Sequence, residues 1–297
     1  MKTAPKSKNI KITSAFLATA LIASPCVSQS LNAGENLLKN GDAEAGDTSG
    51  WTSFVETSTT AHEGTNSFVL AGAKDSSGTA QSKEFIPVDP SSGYTVSGYF
   101  MSPEGTGSVH LGLACFDAQK RLITSERITP VPQTETELVE DVKPGDKVVK
   151  IKNGSAWEFD AALTPKYGVV AFNVDDSGAY SDLPNPNLSQ WGITTIRQTG
   201  GQWEVELAKP LKEGYSAGTK VRQHKVHGAS FWVSVKKVGN DWVKISGDIS
   251  GVSTVGQEKG MFWPGTSFVR VTVLNLNDDK NDSPKVLVDD LTFGPIQ

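Results

Sequence analysis

The sequence is short of the residues from which most catalytic metal and thiol centres are built. Its 297 residues include two cysteines and four histidines. Cys26 lies in a leader expected to be removed, so Cys115 stands alone, which excludes an internal disulfide and a cysteine-based metal site. Cys115 is read as a small core residue. Four histidines, His62, His110, His224 and His227, are too few and too scattered to predict a catalytic zinc site, although the three-residue spacing of His224 and His227 is compatible with a metal. P-loop, dinucleotide, G-x-S-x-G and H-E-x-x-H patterns are all missing. No amphipathic helix is legible after residue 35. No strong positive charge exists either: the formal net charge is −5, and loss of a basic leader makes the remainder more acidic. That argues against a nucleic-acid partner.

Long hydrophobic runs are missing as well. The only candidate, Ile12 to Ile22, is too short for a transmembrane span. It follows Lys2, Lys6, Lys8 and Lys11 and precedes the small residues Ser28-Gln29-Ser30, so residues 1–30 are expected to be a signal peptide and the protein to be secreted, to a periplasm or outside the cell. A lipid anchor on Cys26 is the rival reading, and Pro25 is wrong for it.

Glycine (29) and proline (15) are present throughout, and short alternating runs recur between turn residues. Examples are "YTVSGYF" (94–100), "VHLGLACF" (109–116), "FWVSV" (231–235), "FVRVTVLNL" (268–276) and "VLVDDLTF" (286–293). Many short strands with turn signals predict an all-β fold, a sandwich or barrel. The stretch 138–228, with "VKPGDKVVKIKNG" and "EVELAKPLKEGYSAGTKVRQH", has a different character and reads as an inserted small β-barrel or meander, with 129–137 as its entry linker. The outer domain is then discontinuous, 36–130 plus 229–296.

Four stretches of that outer domain, "NLLKNGDAEAG" with "GW" (36–51), "HEGTNSFVLAG" (62–72), "DWVKISGDISG" (241–251) and "VLVDDLTFGP" (286–295), resemble a carbohydrate-binding module. The type is the β-jelly-roll, galactose-binding-like one, nearest to the xylan- and glucan-binding families. The insertion does not fit the pattern. The resemblance implies a jelly-roll sandwich, a polysaccharide or oligosaccharide ligand and a structural calcium ion (Ca2+) where the first and last strands meet. Its ligands would be Asp42, Glu44, Asn66 or nearby carbonyls, and Asp289. Calcium takes six to eight oxygens, carboxylates and carbonyls mixed. Strict alternation puts Asp289 in one row with Leu287, Leu291 and Phe293, a costly place for a carboxylate unless it is paired or metal-bound. The Asp/Asn-rich run 276–283 lacks the periodicity of an EF-hand and reads as a solvated loop.

Alternation also predicts a second face. Tyr99, His110, Trp232 and Arg270 all fall opposite apolar rows. Together they would make a sugar cleft, with rings stacking on pyranose faces and Arg and His donating to hydroxyls or carboxylates. Trp51 and Trp242 are assigned to the core or sheet edges and Trp263 to a loop rim. Trp157, Tyr167, Trp191 and Trp203 form either the core of the insertion or a second ligand surface. Two other function classes stay open. A polysaccharide lyase would use Arg270 to neutralise a uronate and Tyr99 or His110 as base and acid, while a glycoside hydrolase would need a carboxylate pair. A structural or adhesive extracellular module would contact protein instead.

Overall fold

The computed structural model describes residues 34–72, 78–124, 126–229, 232–253, 260–276 and 284–296. The expected leader, including Cys26, the loop 277–283 and the side chain of His227 lie outside the described residues. The strands fall into three runs along the chain. The first run is β1 (Trp51–Thr52), β2 (Glu56–Ser58), β3 (Ser67–Leu70), β4 (Gly78–Ser82), β5 (Ile86–Pro87), β6 (Tyr94–Met101) and β7 (Gly107–Phe116). The second is β8 (Glu126–Pro130), β9 (Thr136–Glu137), β10 (Val148–Ile151), β11 (Gly168–Phe172), β12 (Ile193–Thr199), β13 (Gln202–Leu207) and β14 (Lys220–Ala229), with a single helical turn, Thr164–Tyr167, before β11. The third is β15 (Trp232–Val238), β16 (Val243–Ile249), β17 (Phe268–Leu276) and β18 (Val286–Pro295).

The first and third runs interleave to make two antiparallel sheets. One has the order β1-β4-β17-β7-β15, with β5 also on β17; the other has the order β16-β6-β18-β3-β2. This is the expected jelly-roll sandwich. Alternation decides what packs between the sheets. Val109, Leu111, Leu113 and Cys115 of β7 and Val269, Val271 and Val273 of β17 are buried in one sheet, and Val96, Phe100, Val286 and Val288 in the other. The sheets meet closely. Trp51 packs on Phe68 across them at 6.0 Å between ring centroids, and a Cβ on Gly107 would lie 2.6 Å from Val286 Cγ2. Each such apolar side chain contributes about 1.5–3 kcal/mol on burial. Burial also pushes the Cys115 thiol up to about 11, so it is an inert core group.

The second run forms two further antiparallel sheets, β10-β13-β12 and β11-β14-β8 with β9 on β14. Among the described residues, these strands pair only with one another. Their core draws on Val149, Ile151, Val170, Phe172, Val205 and Val221. Trp157 and Trp203 belong to that core. The chain leaves the first sheet after β7 and returns to it at β15, the strand paired with β7. The stretch 129–137, expected as a linker, instead carries the end of β8 and all of β9, both paired to β14. Its Thr residues and Val131 suit strands, and the alternation is too short to be legible between prolines. Residues 32–297 make one compact unit.

Candidate functional site

The outward face of the first sheet is set by its register. Arg270 lies opposite Ala114, Thr272 opposite Gly112 and Leu274 opposite His110. Gln81 lies opposite Thr272 on the other side, and Trp232 opposite Gly112. Directly opposed residues project to the same face, so Gln81, Arg270, Thr272, Gly112, Ala114, His110 and Trp232 share one surface. Its middle is low, because Gly112, Ala114 and Thr272 are small. On one side, the His110 and Trp232 rings meet edge to face at 5.2 Å. On the other, Gln81 donates to Thr272 Oγ1 at 3.1 Å and accepts from Arg270 Nη1 at 3.4 Å. The Arg270 guanidinium lies 4.0 Å over the Phe85 ring. His110 is half-buried and burial lowers its pKa, so at neutral pH the imidazole is uncharged.

Tyr99 is not part of this surface. It sits in β6 of the other sheet, opposite Asp289, and projects from the far side of the sandwich. There the His62 ring stacks on it at 3.5 Å. The expected cleft therefore assembles as His110, Trp232 and Arg270 without Tyr99, and the lyase trio Tyr99, His110 and Arg270 is not brought together. Alternation fixes which row a residue occupies within its strand, but not which sheet the strand joins. Trp263, expected at a loop rim, is instead 1% exposed. Conversely, Gln81, Phe85 and Lys120 belong to the site without having been expected. Gln81 lies in a strand of small polar residues, and Phe85 and Lys120 lie between strands, where alternation gives no signal.

Asp289 occupies a different place from the one alternation assigned. The pairing of β18 with β6 shifts between Asp289 and Thr292, and Asp290 has a left-handed φ of 48°. This is a β-bulge: one extra residue that reverses the parity of everything after it. Val286, Val288, Leu291 and Phe293 therefore fill the sandwich core, while Leu287 and Asp289 point outward with Tyr99. Asp289 is nonetheless fully buried, because the loop 61–66 lies over it. Its Oδ2 accepts from the backbone N–H of His62 at 2.7 Å and of Glu63 at 3.4 Å. Its Oδ1 accepts from the N–H of Asp290 at 2.8 Å. Burial raises its pKa, and these donors oppose the rise. His62 also bonds Asp290 through Nδ1 at 2.8 Å.

Glu44 clasps the far end of the same loop. Its Oε1 accepts from the N–H groups of Thr65 and Asn66 at 2.9 and 2.8 Å, and its Oε2 from the Thr65 hydroxyl at 2.7 Å. These bonds, the Thr65 hydroxyl first, lower its pKa. Gly64 has φ +67° and a Cβ there would lie 2.6 Å from the Glu44 carboxyl, so only glycine lets the loop come this close. As arranged, the side chains of Asp42, Glu44, Asn66 and Asp289 are engaged by the protein's own groups. The carboxylates face N–H and O–H donors, the Asn66 side-chain amide donates to Thr65 Oγ1, and Asp42 is exposed and accepts from the Glu44 N–H. Among the described residues no three His, Cys, Asp or Glu side chains are grouped to hold a metal.

The second run of strands buries its own polar network. Arg222 is fully buried and binds Asp182 with Nη2 at 2.8 and 3.0 Å. Its Nε donates to His224 Nε2 at 2.8 Å, which fixes His224 as neutral with its proton on Nδ1. Burial, then the Arg222 charge, pushes the His224 pKa down to about 3. A pocket of about 150 Å³ beside β14 is lined by Glu158, Asp160, Tyr167, Gln223 and Lys225. Tyr167 reaches it, whereas Trp157 and Trp203 are in the core. No helix among the described residues is long and apolar enough to cross a membrane.

Residues 35–153 match the sequence profile of a family described as a carbohydrate binding domain. The match runs from before β1 through β10. No curated protein matches the sequence. Among solved structures, the chain is similar to the xylan-binding domain CBM22-1 of Paenibacillus barcinonensis Xyn10C. The identity is 11%, over 89% of this chain and 97% of that one, with a TM-score of 0.39. It is also similar to the enzymatically active domain of tailspike protein 4 of bacteriophage CBA120, at 9% identity over 88% of this chain and 21% of that one, with a TM-score of 0.38. A third is TmCBM61 in complex with β-1,4-galactotriose, at 11% identity over 88% of this chain and 99% of that one, with a TM-score of 0.29.

Proposed function

We propose that this is a secreted carbohydrate-binding protein that takes a polysaccharide chain on the outward face of its first sheet. One observation carries the reading: the His110–Trp232 ring pair stands beside a floor of Gly112, Ala114 and Thr272, with Gln81 and Arg270 across it. An extended glycan needs this combination. Its pyranose rings present apolar faces to an aromatic wall, its hydroxyls need donors and acceptors, and its thickness needs a floor without bulky side chains. The family match over residues 35–153 supports the ligand class and covers Gln81, His110, Gly112 and Ala114. Secretion is supported by the basic, then apolar, then small-residue order of residues 1–30.

The test is affinity electrophoresis of residues 31–297 through gels containing soluble polysaccharides. Retardation by at least one polymer is expected. Trp232→Ala should weaken it at least about tenfold, as loss of an aromatic anchor does at other interfaces. Unchanged mobility on every gel, or a Trp232→Ala variant that binds as the wild type does, would remove this face from consideration.

A further inference from the structure

The sheet face described above carries a charge pattern that a neutral glycan does not call for. The Phe85 ring has two cations against it: Arg270 Cζ at 4.0 Å and Lys120 Nζ at 5.2 Å from its centroid. Lys120 also lies 5.3 Å over Phe268, and Arg270 5.5 Å over Phe116. Among the described residues neither cation makes an ion pair. Arg270 Nε is buried without a hydrogen-bond partner, and the only hydrogen bond of the guanidinium is the 3.4 Å one to Gln81. The outward positions that surround it, Gln81, Thr272, Ala114, Gly112 and Phe116, include no carboxylate. This occurs in a chain whose formal net charge is −5 and whose fully buried arginine, Arg222, is matched by Asp182.

Two like charges gathered on one ring repel each other. Cation–π attraction holds each in place but does not neutralise either. The arrangement lacks an anion. Arginine's planar fork matches a carboxylate in two parallel hydrogen bonds, which a neutral hydroxyl cannot reproduce. Arg270 and Trp232 lie on strands separated only by β7, two strand spacings or about 10 Å apart across the sheet. One chain can therefore lie on Trp232 with one sugar and present a substituent to Arg270 with another.

We infer that the ligand of this face is a carboxylate-bearing polysaccharide, with a uronate held by Arg270 and Lys120 and a neighbouring ring stacked on Trp232. The inference rests on the proposed glycan-binding role of the same face and adds the chemical class of the glycan.

The experiment titrates the full chain with polygalacturonate and glucuronoxylan, with the same two polymers after reduction of their carboxyl groups, and with dextran sulfate, by calorimetry at two salt concentrations. A uronate polymer should bind at least about tenfold more tightly than its reduced form, the worth of one charged hydrogen-bonded contact. Arg270→Gln should abolish that difference. Arg270→Lys should restore part of it, since charge remains but the fork is lost. Lys120→Gln, at an exposed loop position, should reduce it and lower the salt dependence. Equal affinity for native and reduced polymers, unchanged in Arg270→Gln, would overturn the uronate assignment and leave glycan binding by this face standing. Dextran sulfate binding as tightly as the uronate polymers would also overturn it, in favour of charge without carboxylate geometry. Binding to none of the polymers would overturn both.

Discussion

Replacing Asp289 by alanine removes the acceptor under the loop 61–66, and its cost follows from the contacts. Two of the three hydrogen bonds are short, from the His62 and Asp290 amides at 2.7 and 2.8 Å. Hydrogen bonds to a charged group contribute about 1.5–3 kcal/mol each, so the pair is worth about 3–6 kcal/mol. Against this stands the relief of no longer burying a carboxylate. That relief is real, because burial is the largest influence on Asp289 and raises its pKa. The His62 ring stacked on Tyr99 loses its seat as well, about 0.5–1.5 kcal/mol. The net loss is expected to be about 2–4 kcal/mol, or a fall in Tm of roughly 5–10 °C. Asp289→Asn keeps one acceptor oxygen and removes the charge, so it should cost about half as much. The pH dependence gives a separate check. A raised folded pKa means that the folded state holds this proton more tightly than the unfolded chain does. The associated stability is complete below 3.8, the unfolded value, and is lost as pH rises through the folded one. Wild type should therefore gain on Asp289→Asn as pH falls from neutrality. Urea and thermal unfolding read the stabilities, and limited proteolysis reads the loop. An alanine variant within about 0.5 kcal/mol of wild type, the range of an inconsequential surface change, would refute the reasoning, as would an asparagine variant worse than alanine.

The same loop predicts that EDTA leaves the Tm of the protein as purified unchanged and that calcium added afterwards does not raise it; a rise of several degrees with calcium would place a cation among Asp42, Glu44 and Asp289. Asp182→Ala should destabilise the protein by about 3 kcal/mol in urea unfolding, since it removes both short hydrogen bonds of the buried Arg222 charge and leaves it only Glu135, at 3.7 Å. His224 is held neutral with a pKa of about 3. The unfolded chain therefore binds this proton first, and stability should fall as pH drops from 6.5 toward 3, by at most about 1.4 kcal/mol per pH unit. His224→Gln, which still accepts from Arg222, should flatten that slope, and an unchanged slope would clear His224 of the effect.

Much of the sandwich was legible because its strands alternate cleanly. The run 268–276 is β17 from end to end, and 94–100 and 109–116 fall within β6 and β7. What could not be read is where local periodicity gives way to tertiary context. Nothing in "VLVDDLTFGP" announces that an extra residue intervenes at Asp290, because a bulge is defined by the partner strand as much as by its own sequence. Its effect is large: it moves Asp289 from the core row to the outer row, where its carboxylate accepts from the loop 61–66. Tyr99 failed for a related reason, since its strand joins the other sheet.

What this face brings together and what it leaves apart have one physical origin. His110 and Arg270 come together because β7 and β17 keep register over Gly112, Ala114 and Thr272, which alternation can anticipate once the strands are known to be neighbours; Trp232 joins them through a register shift between Trp232 and Ser234, which it cannot. Phe85 and Lys120 come from connections, which carry no period. Yet these two residues change the chemistry of the face, because Phe85 lies 4.0 Å under the Arg270 guanidinium and Lys120 adds a second positive charge on the same ring. A strand can offer a glycan a flat, stackable floor, since its side chains stand in fixed rows. The loops at the end of the sheet are free to gather like charges that no row would bring together. Shape on this face is therefore a property of the strands, and its charge is shared between a strand residue, Arg270, and a connection residue, Lys120.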